Sequence, residues 1–303
     1  MMQTYIKDLY KQRYPVISFE VFPPKKDADI AEIYWALGHM VALSPDFISV
    51  TYGAGGGSNH TMTAEIASSI ERHGVCSLAH LTCIGAEREN MLQTIEQMKQ
   101  KGIRNVLALR GDIPDDTGGG SLCQDKPRHG EPSSVPYYRY AEDLILTLHK
   151  AGGFCIGAAC YPEGHIECDD LSFDTVSLLR KQDAGADFLI TQLFFENDYF
   201  YRFLERVRGA GVTLPISAGV MPILSRKAVE RMIFICGASL PSGIIKLLHK
   251  YENNPADLRK AGIEYMTKQA EDLLGHGVDG IHIYTMNKPD IAAHCLKQIG
   301  RKA

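Results

Sequence analysis

Short runs of β-branched and aromatic residues recur along the chain at 16–21, 47–51, 76–81, 106–109, 154–159, 188–191, 215–219 and 281–284. Between them, apolar positions repeat with the spacing of one helix face over 28–43, 63–73, 87–101, 140–151, 173–184 and 199–209. Gly74, Gly102, Gly152, Gly185 and Gly209 stand where these helices should stop, since glycine takes up left-handed backbone without a Cβ penalty. Strand alternates with helix eight times. That alternation predicts a parallel sheet joined by right-handed crossovers, and eight units close naturally as an α/β (β/α)8 TIM barrel. Two intervals are too long for a simple unit. The stretch 114–136, rich in Gly and Pro, reads as a loop over one barrel mouth, and 226–236, 241–251 and 255–275 read as extra helices between strands 7 and 8. With no linker-like segment in view, the expectation is a single domain over 1–303.

Composition adds exclusions. Hydrophobic residues make up 45% and charged residues 22%, with Gly 28 and Pro 14, which rules out a collagen-like, disordered or small disulfide-stapled chain. A net charge of −4, from 32 basic and 36 acidic residues, advertises no nucleic-acid partner. No apolar run approaches the roughly 18 residues that span a bilayer, and residues 1–13 carry no apolar signal core. The eight cysteines include no CxxC pair, so they are expected as reduced thiols in a cytoplasmic protein.

In a barrel of this type the chemistry gathers where strands run out. The first four strands end in Ser18-Phe19-Glu20-Val21-Phe22-Pro23-Pro24, Thr51-Tyr52-Gly53-Ala54-Gly55-Gly56-Gly57, His80-Leu81-Thr82-Cys83 and Arg110-Gly111-Asp112. The other four lead to Tyr161-Pro162-Glu163-Gly164-His165, Gln192-Leu193-Phe194-Phe195, Gly219-Val220-Met221-Pro222 and Tyr284-Thr285-Met286-Asn287-Lys288. Glu20 fits either an ion-pair partner or a catalytic acid. Its apolar neighbours predict a raised pKa, as a proton donor needs. Asp112 fits a turn cap as well as a functional acid. The glycine run 53–57 lacks the Gly-Lys-Ser/Thr of a phosphate loop and the GxGxxG of a dinucleotide fingerprint; it suits a plain loop or close approach to a flat ligand. Arg180-Lys181 suits the end of a helix, where basic residues meet the dipole. His80 and His165 have no second ligand at metal spacing, so no metal site is expected. Phe194-Phe195 read as wall or core. There is no GxSxG elbow and no strand-end lysine placed for a Schiff base. What is left is proton transfer coupled to redox chemistry with an organic cofactor.

Several of these motifs, with Val50-Thr51-Tyr52-Gly53-Ala54-Gly55-Gly56, Ala79-His80-Leu81-Thr82-Cys83, Leu109-Arg110-Gly111-Asp112-Ile113-Pro114, Arg180-Lys181-Gln182-Asp183-Ala184-Gly185-Ala186 and Thr191-Gln192-Leu193-Phe194-Phe195, occur in order between residues 17 and 298. Together the chain resembles the 5,10-methylenetetrahydrofolate reductase family in its short bacterial form, the catalytic barrel alone. The resemblance implies an FAD flavoprotein that oxidises NADH or NADPH and then reduces methylenetetrahydrofolate to 5-methyltetrahydrofolate, ping-pong on one flavin face. That chemistry belongs to one-carbon metabolism leading to methionine. By position, Glu20 becomes the proton donor, and Asp112 lies between flavin and pterin. Gln192 orients folate and nicotinamide, Thr51 meets the nicotinamide, and Lys288 the p-aminobenzoyl-glutamate tail. FAD contacts transfer to Tyr52, Ala54, His80, Arg110, Gly111, Asp112, Tyr140, Ala141, Tyr161, His165, Asp174, Arg180 and Lys181, the last two serving the diphosphate.

The chain departs from the family pattern in places. Lys288 stands where Arg is common and lacks the bidentate fork. Ser177 replaces an Asn, Gly57 and Met62 alter the loop after strand 2, the 114–136 loop is long, and 219–222 varies the strand-7 ending. These changes motivate an alternative, a folate-reducing flavoprotein subunit fed by a partner electron-transfer subunit. A non-catalytic binding subunit fits poorly, because Glu20, Asp112 and Gln192 are all present. The resemblance also implies a homo-oligomer.

Overall fold

A strand buried on both faces reads as a continuous apolar run, one face meeting the barrel interior and the other the helices. The computed structural model describes residues 4–12, 15–24, 30–51, 60–111, 137–168 and 170–301. In it the predicted runs become β1 (Val16–Val21), β2 (Phe47–Val50), β3 (Cys76–Thr82), β4 (Asn105–Leu109), β5 (Cys155–Cys160), β6 (Phe188–Thr191), β7 (Ile216–Val220) and β8 (Gly280–Tyr284). They pair in parallel in chain order, and β8 returns to β1 to close the barrel. Around it lie α2 (Ile30–Ala42), α3 (His60–Arg72), α4 (Arg88–Gln100), α5 (Ala141–Ala151), α6 (Leu171–Asp183), α7 (Asn197–Gly209) and α11 (Pro289–Gln298). The long interval before β8 holds α8 (Arg226–Cys236), α9 (Ser242–Lys250) and α10 (Pro255–Gly275), as the periodicity predicts.

Two details differ from the sequence expectation. Gly209 is the last helical residue of α7, and the left-handed turn falls instead at Gly211, with φ 101. An extra helix, α1 (Ile6–Gln12), precedes β1. Its sequence is mixed in polarity because only its inner side is buried. It plugs the N-terminal end of the barrel, where Ile6 N–H donates to Asn105 Oδ1 at 2.9 Å and Tyr10 Oη meets Ser217 Oγ at 2.8 Å.

Side-chain parity sorts the strand residues into two cores. Ile17, Phe19, Val21, Ile48, Val50, Ala79 and Leu81 face the helices, whereas Val16, Phe47, Leu78, Leu107 and Phe188 fill the lower barrel. The same alternation turns Ser18, Glu20, Ser49, His80 and His282 inward above that apolar floor. Phe194 packs with the helix-side core, stacked on Phe200 at 5.5 Å. Phe195 joins a third cluster, with Leu193, Met221, Ile223, Ile244 and Leu258, through which α8–α10 attach near the C-terminal ends of β6 and β7.

The N-terminal rim repeats one device. Asp46, Asp187 and Asp279 each precede a strand and accept the N–H of Ile17, Ile156 and Ile216 on the neighbouring strand at 2.7, 2.8 and 2.9 Å. Each acid also pairs with a cation: Arg301, Lys7 and Arg208, respectively. Seven described cysteines are free thiols, and no helix among the described residues is long and apolar enough to cross a membrane.

Candidate active site

Glu20 is the next-to-last residue of β1, in register with Ser49 of β2 and Tyr284 of β8. Its carboxylate therefore rises from the apolar floor into a ring of polar side chains. Ser49 Oγ donates to Glu20 Oε2 at 3.2 Å, His282 Nε2 lies 3.3 Å from the same oxygen, and His80 Nε2 lies 3.5 Å away. His282 is fully buried, stacked on Phe47 with ring centroids 6.1 Å apart. Its Nδ1 sits 2.8 Å from Ser18 Oγ, and that hydroxyl also faces the Ile281 carbonyl at 3.4 Å. With the hydrogen on Nε2, His282 donates to the Glu20 carboxylate while its Nδ1 accepts from the Ser18 hydroxyl. The chain Ser18–His282–Glu20 has the composition of a hydrolytic triad, yet Ser18 is wholly buried beneath the histidine and no substrate reaches it.

The setting of Glu20 corrects the sequence expectation of an apolar frame. Phe19 and Val21 point away, into the helix-side core, because neighbours on a strand face opposite sides. Burial does push the carboxyl upward. The hydrogen bond from His282, the charges of His80 and His282 and the Ser49 hydroxyl outweigh it, and the carboxyl sits below its ordinary range. His80 responds to the same burial in the opposite sense. Its pKa falls to about 4, despite the attraction of Glu20. Its Nε2, 3.5 Å from Glu20 Oε2, is buried without a hydrogen-bond partner.

Over the C-terminal ends of β4 and β5 opens a cleft. Arg110, Tyr140, Ala141, Tyr161, His165, Asp174 and Lys181 all line it, so most of the expected cofactor contacts converge. Lys181 reaches inward from the last turn of α6, donates to the Ala159 carbonyl at 2.8 Å and lies 5.8 Å from the Tyr161 ring centroid. Burial holds its pKa below the ordinary lysine value. Asp174 accepts the His165 N–H at 2.5 Å, and the His165 ring meets Tyr161 edge-on at 4.7 Å. Burial and the nearby Arg110 charge keep His165 below its usual pKa. Gly111 turns the chain with φ 90, and a Cβ there would meet Thr82 Cβ at 3.0 Å.

Arg180 does not line this cleft; its Nε is buried without a partner. Gln192 folds back, its Oε1 accepting the Leu193 N–H at 2.9 Å. Thr51 is tied through its backbone, N–H to Val21 O and carbonyl to Thr63 Oγ1. Lys288 is exposed at the start of α11. Tyr52, Ala54 and Asp112, with the 114–136 loop, lie outside the described residues. Among the described residues no cluster of three or more metal-ligating side chains occurs.

The sequence reading missed His282, Ser18 and Ser49. Strand parity was the available signal: Ser18 shares the face of Glu20, and His282 that of Tyr284. Glu167 was missed too. It grips Arg110 in a two-toothed pair at 2.6 and 2.8 Å, a contact across a loop that no local spacing announces. Arg110 lowers the Glu167 pKa by that hydrogen bond.

Two features fit the expected dinucleotide. Arg110 and Lys181 supply cationic groups for a diphosphate, and His80 Nε2 offers an unspent polar atom beside the carboxyl. With the geometry established, similarity to known proteins becomes informative. A family model described as methylenetetrahydrofolate reductase matches residues 5–300. The chain is 33% identical over 311 residues to methylenetetrahydrofolate reductase (NADH) 1 of Arabidopsis thaliana, covering 97% of this chain and 50% of that protein. It is 31% identical over 285 residues to 5,10-methylenetetrahydrofolate reductase of Pectobacterium carotovorum subsp. carotovorum, covering 94% and 90%. The chain thus spans about half the length of the plant relative and nearly all of the bacterial one. Among solved structures, a Clostridium thermocellum protein described as binding two copies of 5-methyl-5,6,7,8-tetrahydrofolic acid superposes with a TM-score of 0.62 at 14% identity, over 98% of both chains. A tryptophan synthase from M. tuberculosis superposes at 0.54 and 10% identity, covering 98% of each chain. At such identities these two likenesses concern the fold alone.

Proposed function

The chain belongs to the methylenetetrahydrofolate reductase family, and from that premise we propose that it reduces 5,10-methylenetetrahydrofolate to 5-methyltetrahydrofolate with electrons from NADH or NADPH through bound FAD. The observation that carries the reading is the Glu20 carboxyl among Ser49, His80 and His282, in a barrel whose β4–β5 end carries a cleft lined by two cationic side chains. When bound, FAD supplies the redox chemistry, accepting hydride from the nicotinamide and passing it to the folate. Everything else is the work of the chain.

Arg110 and Lys181 would hold the diphosphate, Arg110 then giving up its two-toothed pair with Glu167. Tyr140, Tyr161 and His165 would enclose the remainder of the cofactor, and Tyr52, Ala54, Gly111 and Asp112 would complete its contacts; Arg180, outside the cleft, is not among them. His80, whose buried Nε2 has no hydrogen-bond partner, would be a further contact of the bound group. Asp112 accepts hydrogen bonds from the pterin, Gln192 orients folate and nicotinamide in turn, Thr51 meets the nicotinamide, and Lys288 attracts the anionic folate tail.

Glu20 gives its proton to the folate amine nitrogen whose release opens the five-membered ring to the reactive iminium. In the open site the carboxyl is held low, which favours the ionised form. A pterin over the mouth removes the 16% exposure that remains and strengthens the burial that already pushes the carboxyl up. A carboxyl raised in this way takes up a proton from solvent before the site closes and presents it to the substrate nitrogen.

The test separates the two half-reactions. In Glu20→Gln, NADH should reduce the flavin at the wild-type rate, while transfer to methylenetetrahydrofolate falls by about 100-fold or more, as loss of a general acid predicts. A folate half-reaction that runs normally in this variant removes Glu20 from its role. Anaerobic addition of NADH or NADPH to the wild-type holoenzyme bleaches the flavin if the donor reacts directly.

A further inference from the structure

The β1–β8 ladder ends at the pair Glu20–Tyr284, one rung short of what is needed to fix the peptide beyond the carboxyl. After Tyr284 the backbone leaves the sheet. Met286 and Asn287 both take left-handed conformations with φ 55, two adjacent non-glycine residues in a region most side chains avoid. Asn tolerates that region; Met does so at a cost of order 1 kcal/mol or more. The detour has one visible product. Asn287 reaches across to β1, accepting the Phe22 N–H on Oδ1 at 3.0 Å and donating from Nδ2 to the Phe22 carbonyl at 2.9 Å. From the same turn, Thr285 Oγ1 donates to the Glu20 carbonyl at 2.6 Å.

We propose that Asn287 is a positioning residue for the Glu20 carboxyl, its side-chain amide replacing the missing rung of the β1–β8 ladder and locking the backbone that carries the acid. On the other flank Thr51 N–H already binds the Val21 carbonyl at 2.9 Å. Asn287 and Thr285 supply the matching restraint on the β8 side, so Glu20 is held from both neighbours. The restraint matters because the carboxyl's hydrogen bonds to Ser49 and His282, at 3.2 and 3.3 Å, are already at the long end. A shift of a fraction of an ångström would break them and misalign the acid with its substrate nitrogen. The same turn ends at Lys288, whose N–H closes onto the Thr285 carbonyl at 3.0 Å.

This inference rests on Glu20 being the acid, and the experiment is arranged to keep the two apart. Asn287→Gly leaves left-handed backbone unstrained and removes only the clamp. The folate half-reaction should fall roughly 10- to 100-fold, flavin reduction by NADH should hold its rate, and hydrogen exchange at the Phe22 amide should accelerate. Asn287→Asp keeps the acceptor for Phe22 N–H but not the donor, and should fall between Gly and wild type; it carries the test alone if the Gly variant does not fold. A wild-type folate half-reaction in either variant overturns the proposal, as does an equal loss in both half-reactions. Glu20→Gln is run beside them. A normal folate half-reaction there sinks the reading of the acid itself, whereas its collapse alongside an unaffected Asn287→Gly sinks the clamp alone.

Discussion

His80 brings an imidazole into the upper barrel, where burial and the His282 charge disfavour protonation and Glu20 favours it. Burial dominates, and the folded pKa drops from 6.5 to about 4. Between those values the unfolded chain binds the proton and the folded one does not. The stability His80 contributes is therefore intact above pH 6.5 and drains as the pH falls toward 4. Glu20, held below its ordinary 4.5, pulls in the same direction but at lower pH, so the two windows separate along the acid axis. His80→Gln should flatten the decline of the chemical unfolding midpoint between pH 6.5 and 4, and soften the slope below 4 as well, because the His80 charge helps to hold the Glu20 carboxyl low. A decline as steep as wild type over that interval would assign the titration to another group.

At the scale of elements, β7 shows how a strand is shaped by what must pass it. A Cβ on Gly219 would stand 2.6 Å from the Thr191 carbonyl and 2.9 Å from Tyr284 Oη, which donates to that carbonyl at 2.8 Å. The Tyr284 ring stands edge-on to His282 at 5.2 Å, so a displaced Tyr284 is felt by the histidine that hydrogen-bonds Glu20. Gly219→Ala should cost about 1–3 kcal/mol by overpacking and slow the folate half-reaction more than flavin reduction. Unchanged unfolding and unchanged folate transfer would mean the strand has room that the geometry denies. This element also shows where sequence reading stops. The strand and its polar ending were legible from apolar runs and their spacing, as were α8–α10. Glu20 stood out because a carboxylate in an apolar run is anomalous. Its real surroundings were not legible locally, because Ser49 and His282 reach it through sheet register, across separations of 29 and 262 residues. The polarity of the mouth follows from parity on three strands at once, and the pKa of Glu20 went the other way from the sequence expectation for that reason. The α1 plug and the Arg110–Glu167 pair stayed hidden because each is defined by a distant partner.

Across the whole molecule the two ends of the barrel have separate tasks. The C-terminal mouth collects groups that are costly to bury, among them a carboxyl, two histidines and a half-buried lysine, together with left-handed backbone at Met286 and Asn287. The N-terminal end collects groups that pair fully: Asp46, Asp187 and Asp279 each satisfy a strand N–H and meet a cation. Stability earned at one rim sustains strain at the other, which makes the ends separable by mutation. Asp46 is the sharpest probe, since its side chain has no exposure and it serves both Ile17 N–H at 2.7 Å and Arg301 at 2.7 Å. Asp46→Ala leaves a buried N–H without an acceptor and a guanidinium without its partner, and should lower unfolding free energy by about 3–5 kcal/mol. The half-reactions, measured well below the unfolding temperature, should keep wild-type rates, because the β1 register that delivers Glu20 is set along the whole strand by both neighbours. A variant that kept its stability would show that the rim acids are redundant. One that lost folate transfer while remaining folded would show that the two ends of β1 move together, and that the acid is held from below as well as from the β8 side.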